Sequence, residues 1–453
     1  MENTLNNPVP QRRINRLKRY AALLLGILTA ACSTLPDVSN LSTSLTQKIP
    51  AATNVTTGPI LDQARLAALE AAATGSPLVP GNKVTLLFDG PETMTAMIAS
   101  IEQAKSTINF ETYIFDQDEL GQRFASLLIE KQRAGVQVNV IYDSVGSIGT
   151  PSAFFEQMRA AGIKLLEFNP VNPLKRFGRW QLNHRDHHKI LVVDGKIGFT
   201  GGVNISAAYA NSSLFRSHRH ATANDIGWRD THVQIEGPAV ASLQLLFLQT
   251  WVSQQSEDLP DLDYFPALKK AGDKAVHVLG SQPDGDYGIY KAYILAIQQA
   301  RQSIHITTPY FAPDRQLVNA LEAAARRGVD VTLILPSVSD SGLVFQAGRS
   351  FYTQLLEAGI HIYELQLTVL HAKTAVIDGV WSTVGSANLD IRSFLHNYEA
   401  NVIVIDSDFG NEMENAFQED LLDSDQITLG QWQQRPFSEH IKEWSARSLG
   451  YWL

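Results

Sequence analysis

At 453 residues with 44% hydrophobic content, the chain is long enough for about two to three domains with sizeable cores. A formal charge of −9 makes it a poor electrostatic partner for nucleic acid. A single cysteine excludes an intramolecular disulfide framework.

The start of the chain differs from the rest. Arg12, Arg13, Arg16, Lys18 and Arg19 precede an apolar run, residues 20–31, that ends at Cys32. The run is too short to span a bilayer comfortably, and its basic flank and small terminal residues predict a signal peptide over residues 1–31. Leu28-Thr29-Ala30-Ala31-Cys32 resembles a bacterial lipobox, with Thr29 where leucine is usual. That resemblance implies acylation of Cys32 and a lipoprotein anchored in the bacterial cell envelope. Ser33 then points to the outer membrane rather than the inner. The other reading is an uncleaved short anchor with Cys32 incidental. Cleavage would remove five basic residues and one acid, moving the formal charge from −9 to −13.

Residues 32–80 read as a tether and a leading helix. The stretch 33–59 is rich in Ser, Thr, Pro and Asn with little periodicity, whereas 60–73 has helical spacing and few breakers. Beyond it, helix and strand patterns alternate. Residues 94–104 and 120–134 read as helices, and 108–115 and 136–142 as strands. Runs such as Val138-Asn139-Val140-Ile141 and Leu333-Ile334-Leu335 read as buried strands. The alternation predicts an α/β fold with helices covering a parallel or mixed sheet.

This pattern is written twice. IEQAKSTINFETYIF from Ile101 matches IQQARQSIHITTPYF from Ile297. RAGVQVNVIYDS from Arg133 matches RRGVDVTLILPS from Arg326, and AAGIKLLEF from Ala160 matches EAGIHIYEL from Glu357. The order is the same in both copies, so residues 81–262 and 263–453 are two copies of one domain. Pro260, Pro266 and Gly272 place the link at 257–273.

Each copy then carries H-x-K-x-x-x-x-D: His187, Lys189 and Asp194 in the first, His371, Lys373 and Asp378 in the second. Asn204 and Asn388 each stand seventeen residues beyond their histidine. A histidine can attack phosphorus or move a proton near neutral pH; a lysine and an asparagine amide can hold phosphate oxygens. Strand alternation predicts His and Lys on one face, with His188 on the other. The pairs Gly201-Gly202 and Gly385-Ser386 let backbone approach a bound group. Asp194-Gly195 and Asp378-Gly379 read as turns, which makes the two aspartates structural.

The doubled motif resembles the phospholipase D superfamily. The stretches NHRDHHKILVVDGKIGFTGGVNIS, WRDTHVQIEGPAV and VGSANLDIRSFLHNYEANVIVID are most similar to bacterial cardiolipin synthases. The resemblance implies two tandem phospholipase D-like α/β/α domains related by a pseudo-two-fold axis, with the active site at their interface. It also implies His187 as nucleophile, His371 as acid and base, and Lys189, Lys373, Asn204 and Asn388 around the phosphoryl group. An acid follows each histidine, Asp230 after His187 and Glu399 after His371; in the family an acid here hydrogen-bonds the motif histidine and fixes its tautomer. The implied reaction moves a phosphatidyl group from phosphatidylglycerol to a second lipid, with phospholipids and a membrane surface as partners and no nucleic acid. Oligomeric state is not legible. A hydrolytic phospholipase or nuclease, and a non-catalytic membrane-binding module, are the competing readings.

The family chemistry implies no cofactor, and no catalytic metal is expected. His184, His187 and His188 crowd together and His218 pairs with His220, but no Cys or carboxylate framework stands at ligand spacing. There is no P-loop, dinucleotide fingerprint or G-x-S-x-G elbow. Arg349 and Arg392 read as headgroup-phosphate ligands or as surface ion pairs. The first copy has two insertions, 169–183 and 211–225, that mix Lys175, Arg176, Arg179, Arg216 and Arg219 with Phe177, Trp180 and Phe215. They suit an anionic lipid interface or form ordinary polar loops.

Overall fold

The computed structural model describes residues 34–48, 62–176, 181–209, 227–254, 257–283, 285–366 and 368–449. The expected signal segment, Cys32, Phe177, Arg179, Trp180, the second insertion and His218 and His220 lie outside the described residues. Residues Met1–Pro36 form one unit and Asp37–Leu453 another, which holds all of the described helices and strands.

Among the described residues, strands of four residues or more are β1 Val79–Phe88, β2 Thr107–Thr112, β3 Gln137–Asp143, β4 Lys164–Phe168, β5 Lys189–Val193, β6 Ile197–Gly201 and β7 Thr231–Glu236 in the first half. The second half has β8 Lys274–Ser281, β9 Ser303–Thr307, β10 Asp330–Pro336, β11 His361–Leu365, β12 Thr374–Ile377, β13 Trp381–Gly385, β14 Asn397–Ile405 and β15 Ser424–Ile427. Helices of eight residues or more are α1 Leu41–Lys48, α2 Gln63–Thr74, α3 Asp89–Gln103, α4 Glu119–Arg133, α5 Ser152–Ala160, α6 Val240–Ser253, α7 Gly288–Gln299, α8 Arg315–Arg326, α9 Gly342–Arg349, α10 Ser407–Leu422 and α11 Phe437–Arg447.

One mixed sheet runs through both halves in the order β15-β11-β10-β9-β12-β13-β14-β8-β1-β7-β6-β5-β2-β3-β4. Read outward from the middle, the two halves have the same order, each strand of the first corresponding to the strand seven places later. In both, the outer pairs are parallel (β2 with β3 and β3 with β4; β9 with β10 and β10 with β11) and the inner pairs antiparallel. The halves join where β1 meets β8 antiparallel, with a register shift between Val79 and Asn82. Residues 257–273 carry no helix or strand.

Part of the stretch read as a tether is helical. α1 docks on the second half: the Val38 N–H donates to Gln316 Oε1 (2.8 Å) and the Ser42 N–H to Gln298 Oε1 (3.0 Å). Periodicity could not reveal this, because polar glutamines rather than an apolar face hold the segment. Elsewhere local chemistry explains the boundaries. Asp118, Asp314 and Asp406 cap α4, α8 and α10 by accepting backbone N–H groups of the first turn. Asp194 and Gly195 have φ of 52° and 64°, and Asp378 and Gly379 have 53° and 62°, the backbone that Asp-Gly tolerates in tight hairpins. Each aspartate also accepts three successive N–H groups, of Lys105, Ser106 and Thr107 or of Arg301, Gln302 and Ser303. These bonds pin a hairpin to the strand beside it.

β5 is buried on both faces. Leu191 and Val193 join the first-half core with Ile101, Phe110, Phe124 and Leu128. Ile190 and Val192 face the other way, into a cluster with Val233 and Ile235 from the first half and Val376, Val384 and Val402 from the second. Each such side chain contributes roughly 1.5–3 kcal/mol, against about 1 kcal/mol net for a ladder hydrogen bond. The shared apolar cluster therefore dominates over the β1–β8 junction in holding the halves together.

Arg229 adds a polar tie between the halves. Its guanidinium donates to both carboxylate oxygens of Asp420 on α10 (2.8 and 3.1 Å), to Thr231 Oγ1 (2.7 Å) and to the Asp230 carbonyl. Arg229 and Asp420 are both fully buried. Arg229→Leu strands the Asp420 carboxylate, so urea unfolding should show a loss of about 3–5 kcal/mol. Adding Asp420→Leu should recover much of it. An unchanged midpoint for the single variant would disprove this account.

Candidate active site

Two short parallel pairings decide what faces what. Arg185 and Asp186, just before His187, pair with Asn397 and Tyr398 of β14. Val369 and Leu370, just before His371, pair with Trp228 and Arg229. The His187 N–H then donates to the Tyr398 carbonyl (2.9 Å), and the His371 N–H to the Arg229 carbonyl (2.8 Å). Each motif histidine is thereby laid beside the acid of the other half. His187 Nδ1 lies 2.9 Å from Glu399 Oε2 and 3.1 Å from Oε1, and His371 Nδ1 lies 2.7 Å from Asp230 Oδ2. The acids expected to serve the histidine of their own copy are exchanged between copies. In both sites Nδ1–H donates to a carboxylate, which leaves Nε2 as the reactive atom.

Both imidazoles open into one cavity of about 220 Å³, lined also by Tyr113, Asn204, Trp228, Tyr310, Asp340, Asn388, Asp390, Arg392 and Asn397. Tyr113 stands edge-on to His187 at 5.0 Å, and Trp228 packs on His371 at 5.0 Å. Tyr209 Oη lies 3.2 Å from His371 Nδ1 and accepts a bond from Asn204 Nδ2 (2.8 Å).

The lysines sit deeper than expected and do not line the cavity. Lys189 and Lys373 are fully buried; Lys189 Nζ donates to the His187 carbonyl at 2.8 Å, and Lys373 Nζ to that of His371. Each thereby ties its histidine's backbone and keeps two further N–H donors. Neither histidine lies in a regular strand, since β5 starts at Lys189 and β12 at Thr374; the alternation nonetheless holds, with His188 turned away to Glu111. Asn204 is engaged on both sides, because its Oδ1 accepts from the Ile114 N–H (3.2 Å). Asn388 Oδ1 is buried without a partner.

The second member of each of the Gly-Gly and Gly-Ser pairs stands against an acid. A Cβ on Gly202 would collide with Asp230 Oδ1. At the equivalent place Ser386 Oγ donates to Glu399 Oε2 at 2.6 Å. Arg392 lines the cavity and donates to the side chain and carbonyl of Asn183 (3.1 and 3.2 Å). Arg349 does not line it; its guanidinium stacks on Trp432 at 4.8 Å and pairs with Glu364 at 3.3 Å.

Burial sets the electrostatics. It holds His187 well below its ordinary pKa, aided by the Lys189 and Lys373 charges, and with Lys373 pushes His371 down to about 4. Burial raises Glu399 to about 7. Asp230 differs: burial works to raise it, but His371 and Lys373 outweigh burial and hold it below the ordinary carboxylate value. Burial also lowers Lys189 to about 7 and Lys373 to about 8.

Among the described residues, Glu111, Asp186 and His188 have metal-ligand donor atoms within 4.8 Å of one another. No sequence spacing predicts this, because strand pairing brings Glu111 alongside. The set is outside the cavity lining; His188 Nδ1 lies 2.9 Å from Glu111 Oε1, while Glu111 Oε2, Asp186 Oδ2 and His188 Nε2 are buried without a hydrogen-bond partner. Tyr113, Tyr310 and Trp228 are site residues that the sequence did not single out. Signals for them exist, since Tyr113 and Tyr310 stand at adjacent places of the two matched repeats, opposite Pro309 and Ile114, and Trp228 opens the stretch WRDTHVQIEGPAV.

The family described as cardiolipin synthase, PLD-like domain, matches residues 97–214 and 293–421, one segment in each half. The chain is 38% identical over 376 residues to a cardiolipin synthase of Geobacillus kaustophilus (strain HTA426), covering 82% of this chain and 73% of that one. To a cardiolipin synthase 2 of Bacillus anthracis it is 36% identical over 367 residues, covering 80% and 69%. The crystal structure of a phosphatidylserine synthase from Haemophilus influenzae Rd KW20 superposes with a TM-score of 0.66 at 15% identity, over 86% of this chain and all of that one. The last likeness is one of fold.

The lysine charges give the pH dependence a sign. Each lysine is cationic below its pKa, so a phosphate-binding role fails as pH rises through about 7 to 8. We expect kcat/KM to fall on the alkaline side in that range, well below the ~10.4 of an exposed lysine. Bound phosphate favours the charged lysines, so the limb in kcat should move to higher pH. A kcat/KM profile flat to about pH 10 would exclude the lysines as the charge that matters.

Proposed function

The chain belongs to the cardiolipin synthase family with phospholipase D-like domains, and on that premise we propose that it is a phosphatidyltransferase making cardiolipin from phosphatidylglycerol. The observation that carries this reading is the pair of imidazoles opening into one cavity, each oriented by a carboxylate from the opposite half. His187 Nε2 attacks phosphorus, and the P–O bond to the glycerol headgroup breaks. His371 gives its proton to the departing glycerol oxygen. The hydroxyl of a second phosphatidylglycerol then returns a proton to His371 and attacks phosphorus, the P–N bond breaks, and His187 is regenerated. Two phosphatidylglycerols become one cardiolipin and one glycerol.

The assignment of roles has support in the electrostatics. Asp230 keeps its charge and sits against His371, which favours imidazolium there once an anionic phosphate arrives. A low pKa on His187 keeps its ring neutral and nucleophilic. Arg392 and the Asn388 amide, which line the cavity, supply a cation and a donor for the phosphoryl oxygens, and the buried Lys189 and Lys373 charges add positive field behind the histidines.

Phospholipid substrates put the proposed activity at a bacterial membrane. The finer reading is that acylated Cys32 anchors the protein as an envelope lipoprotein. Labelled palmitate should enter the parent and not Cys32→Ser; equal labelling would reject that anchor.

The transferase is tested with phosphatidylglycerol vesicles. The parent should release glycerol and cardiolipin in equal amounts. His187→Ala should abolish the covalent phosphoenzyme, and His371→Ala should accumulate or slow it, with turnover down at least about a thousandfold in either. Phosphatidic acid as the sole lipid product would convert the assignment to a hydrolase.

A further inference from the structure

Helix α11 is amphipathic in the reverse of the usual sense. Phe437, Ile441 and Trp444 stand at i, i+4 and i+7, one stripe of a helix, and are 78%, 52% and 73% exposed. Its inward face carries Ala446 and Glu443 instead. Glu443 is paired there with Arg435 (3.1 and 2.9 Å), and the helix's other acid, Glu439, is paired with Lys442 (2.7 Å). Ala446 packs with Ala347 of α9. α9 in turn borders the catalytic cavity: Val344 lines it, while Leu343 beside it is exposed. The apolar surface of α11 is thus one helix away from the cavity mouth.

We propose that this stripe, with Leu343, docks on the surface of a phospholipid bilayer and delivers the cavity mouth to its substrate. The proposal rests on the transferase reading. A cavity of about 220 Å³ admits a glycerophosphate headgroup but not two acyl chains, so the chains must stay in the bilayer while phosphorus reaches His187. The mouth has to meet the membrane. A helix presenting Phe, Ile and Trp outward, next to that mouth, matches the shallow insertion of interfacial helices, with the indole at headgroup level. The chain's net charge of −9 gives no general attraction to anionic lipid, so local apolar contact has to supply the binding.

The test uses the full chain on phosphatidylglycerol vesicles doped with a nitroxide-labelled phospholipid. The fluorescence difference between parent and Trp444→Phe isolates Trp444, and it should be quenched by the label. The triple variant Phe437→Ser, Ile441→Ser, Trp444→Ser should turn over vesicle substrate at least about tenfold more slowly. It should turn over short-chain phosphatidylglycerol below its micelle concentration within about twofold of the parent, because only docking is lost. An unquenched Trp444 signal overturns the proposal, as does equal loss on both substrates. So does a parent dimer that the triple variant converts to monomer without slowing vesicle turnover, since a second copy would then cover the stripe. If the parent makes no cardiolipin from either substrate, the transferase reading fails, and the quenching measurement still decides docking.

Discussion

The structure depends on an exchange: the imidazole of each half is oriented by a carboxylate from the other. The His187–Glu399 and His371–Asp230 contacts are set by the parallel pairings that lay Asp186 beside Tyr398 and Leu370 beside Arg229. Neither half contains a working histidine by itself. The apolar cluster shared by β5, β7, β12, β13 and β14 is what keeps that exchange in register.

Burial makes the arrangement costly unless charges compensate. Two lysines and two carboxyl groups are enclosed together with two neutral rings, and each lysine is anchored on the carbonyl of its own histidine. Small differences between the copies then matter. Gly202 leaves the space that Asp230 fills, whereas Ser386 uses the same space to donate to Glu399. The longer acid carries the extra hydrogen bond, and the shorter one stays ionised beside His371. Near-symmetric sequence thus yields two histidines with different surroundings.

Much of this is legible in the chain. The repeats announce two α/β copies, and the spacing of His187, Lys189 and Asn204 against His371, Lys373 and Asn388 announces one site made from both. Asp194 and Asp378 are legible as turn residues because Asp-Gly has a local preference. What escapes is whatever strand pairing across the halves decides. Nothing in the string says that Glu399 belongs with His187 rather than with His371, or that Glu111 meets His188. The role of Gly202 and Ser386 is hidden for the same reason, since their neighbours are acids distant in sequence. Arg349 looks like a phosphate ligand by residue type alone, yet aromatic Trp432 and Glu364 claim it. The segment around Val38 escapes because glutamine side chains, not apolar periodicity, hold it.

The use of one histidine for both proton transfers has a consequence for the direction of the proposed reaction. A catalytic centre in which the departing and the entering alcohol both stand opposite His187 and exchange protons with His371 treats the two alcohols almost alike. Such a centre cannot drive exchange one way; microscopic reversibility makes it equally competent to cleave cardiolipin with glycerol. Net synthesis then reflects mass action, with the small water-soluble alcohol diffusing away while the bulky lipid product remains in the membrane.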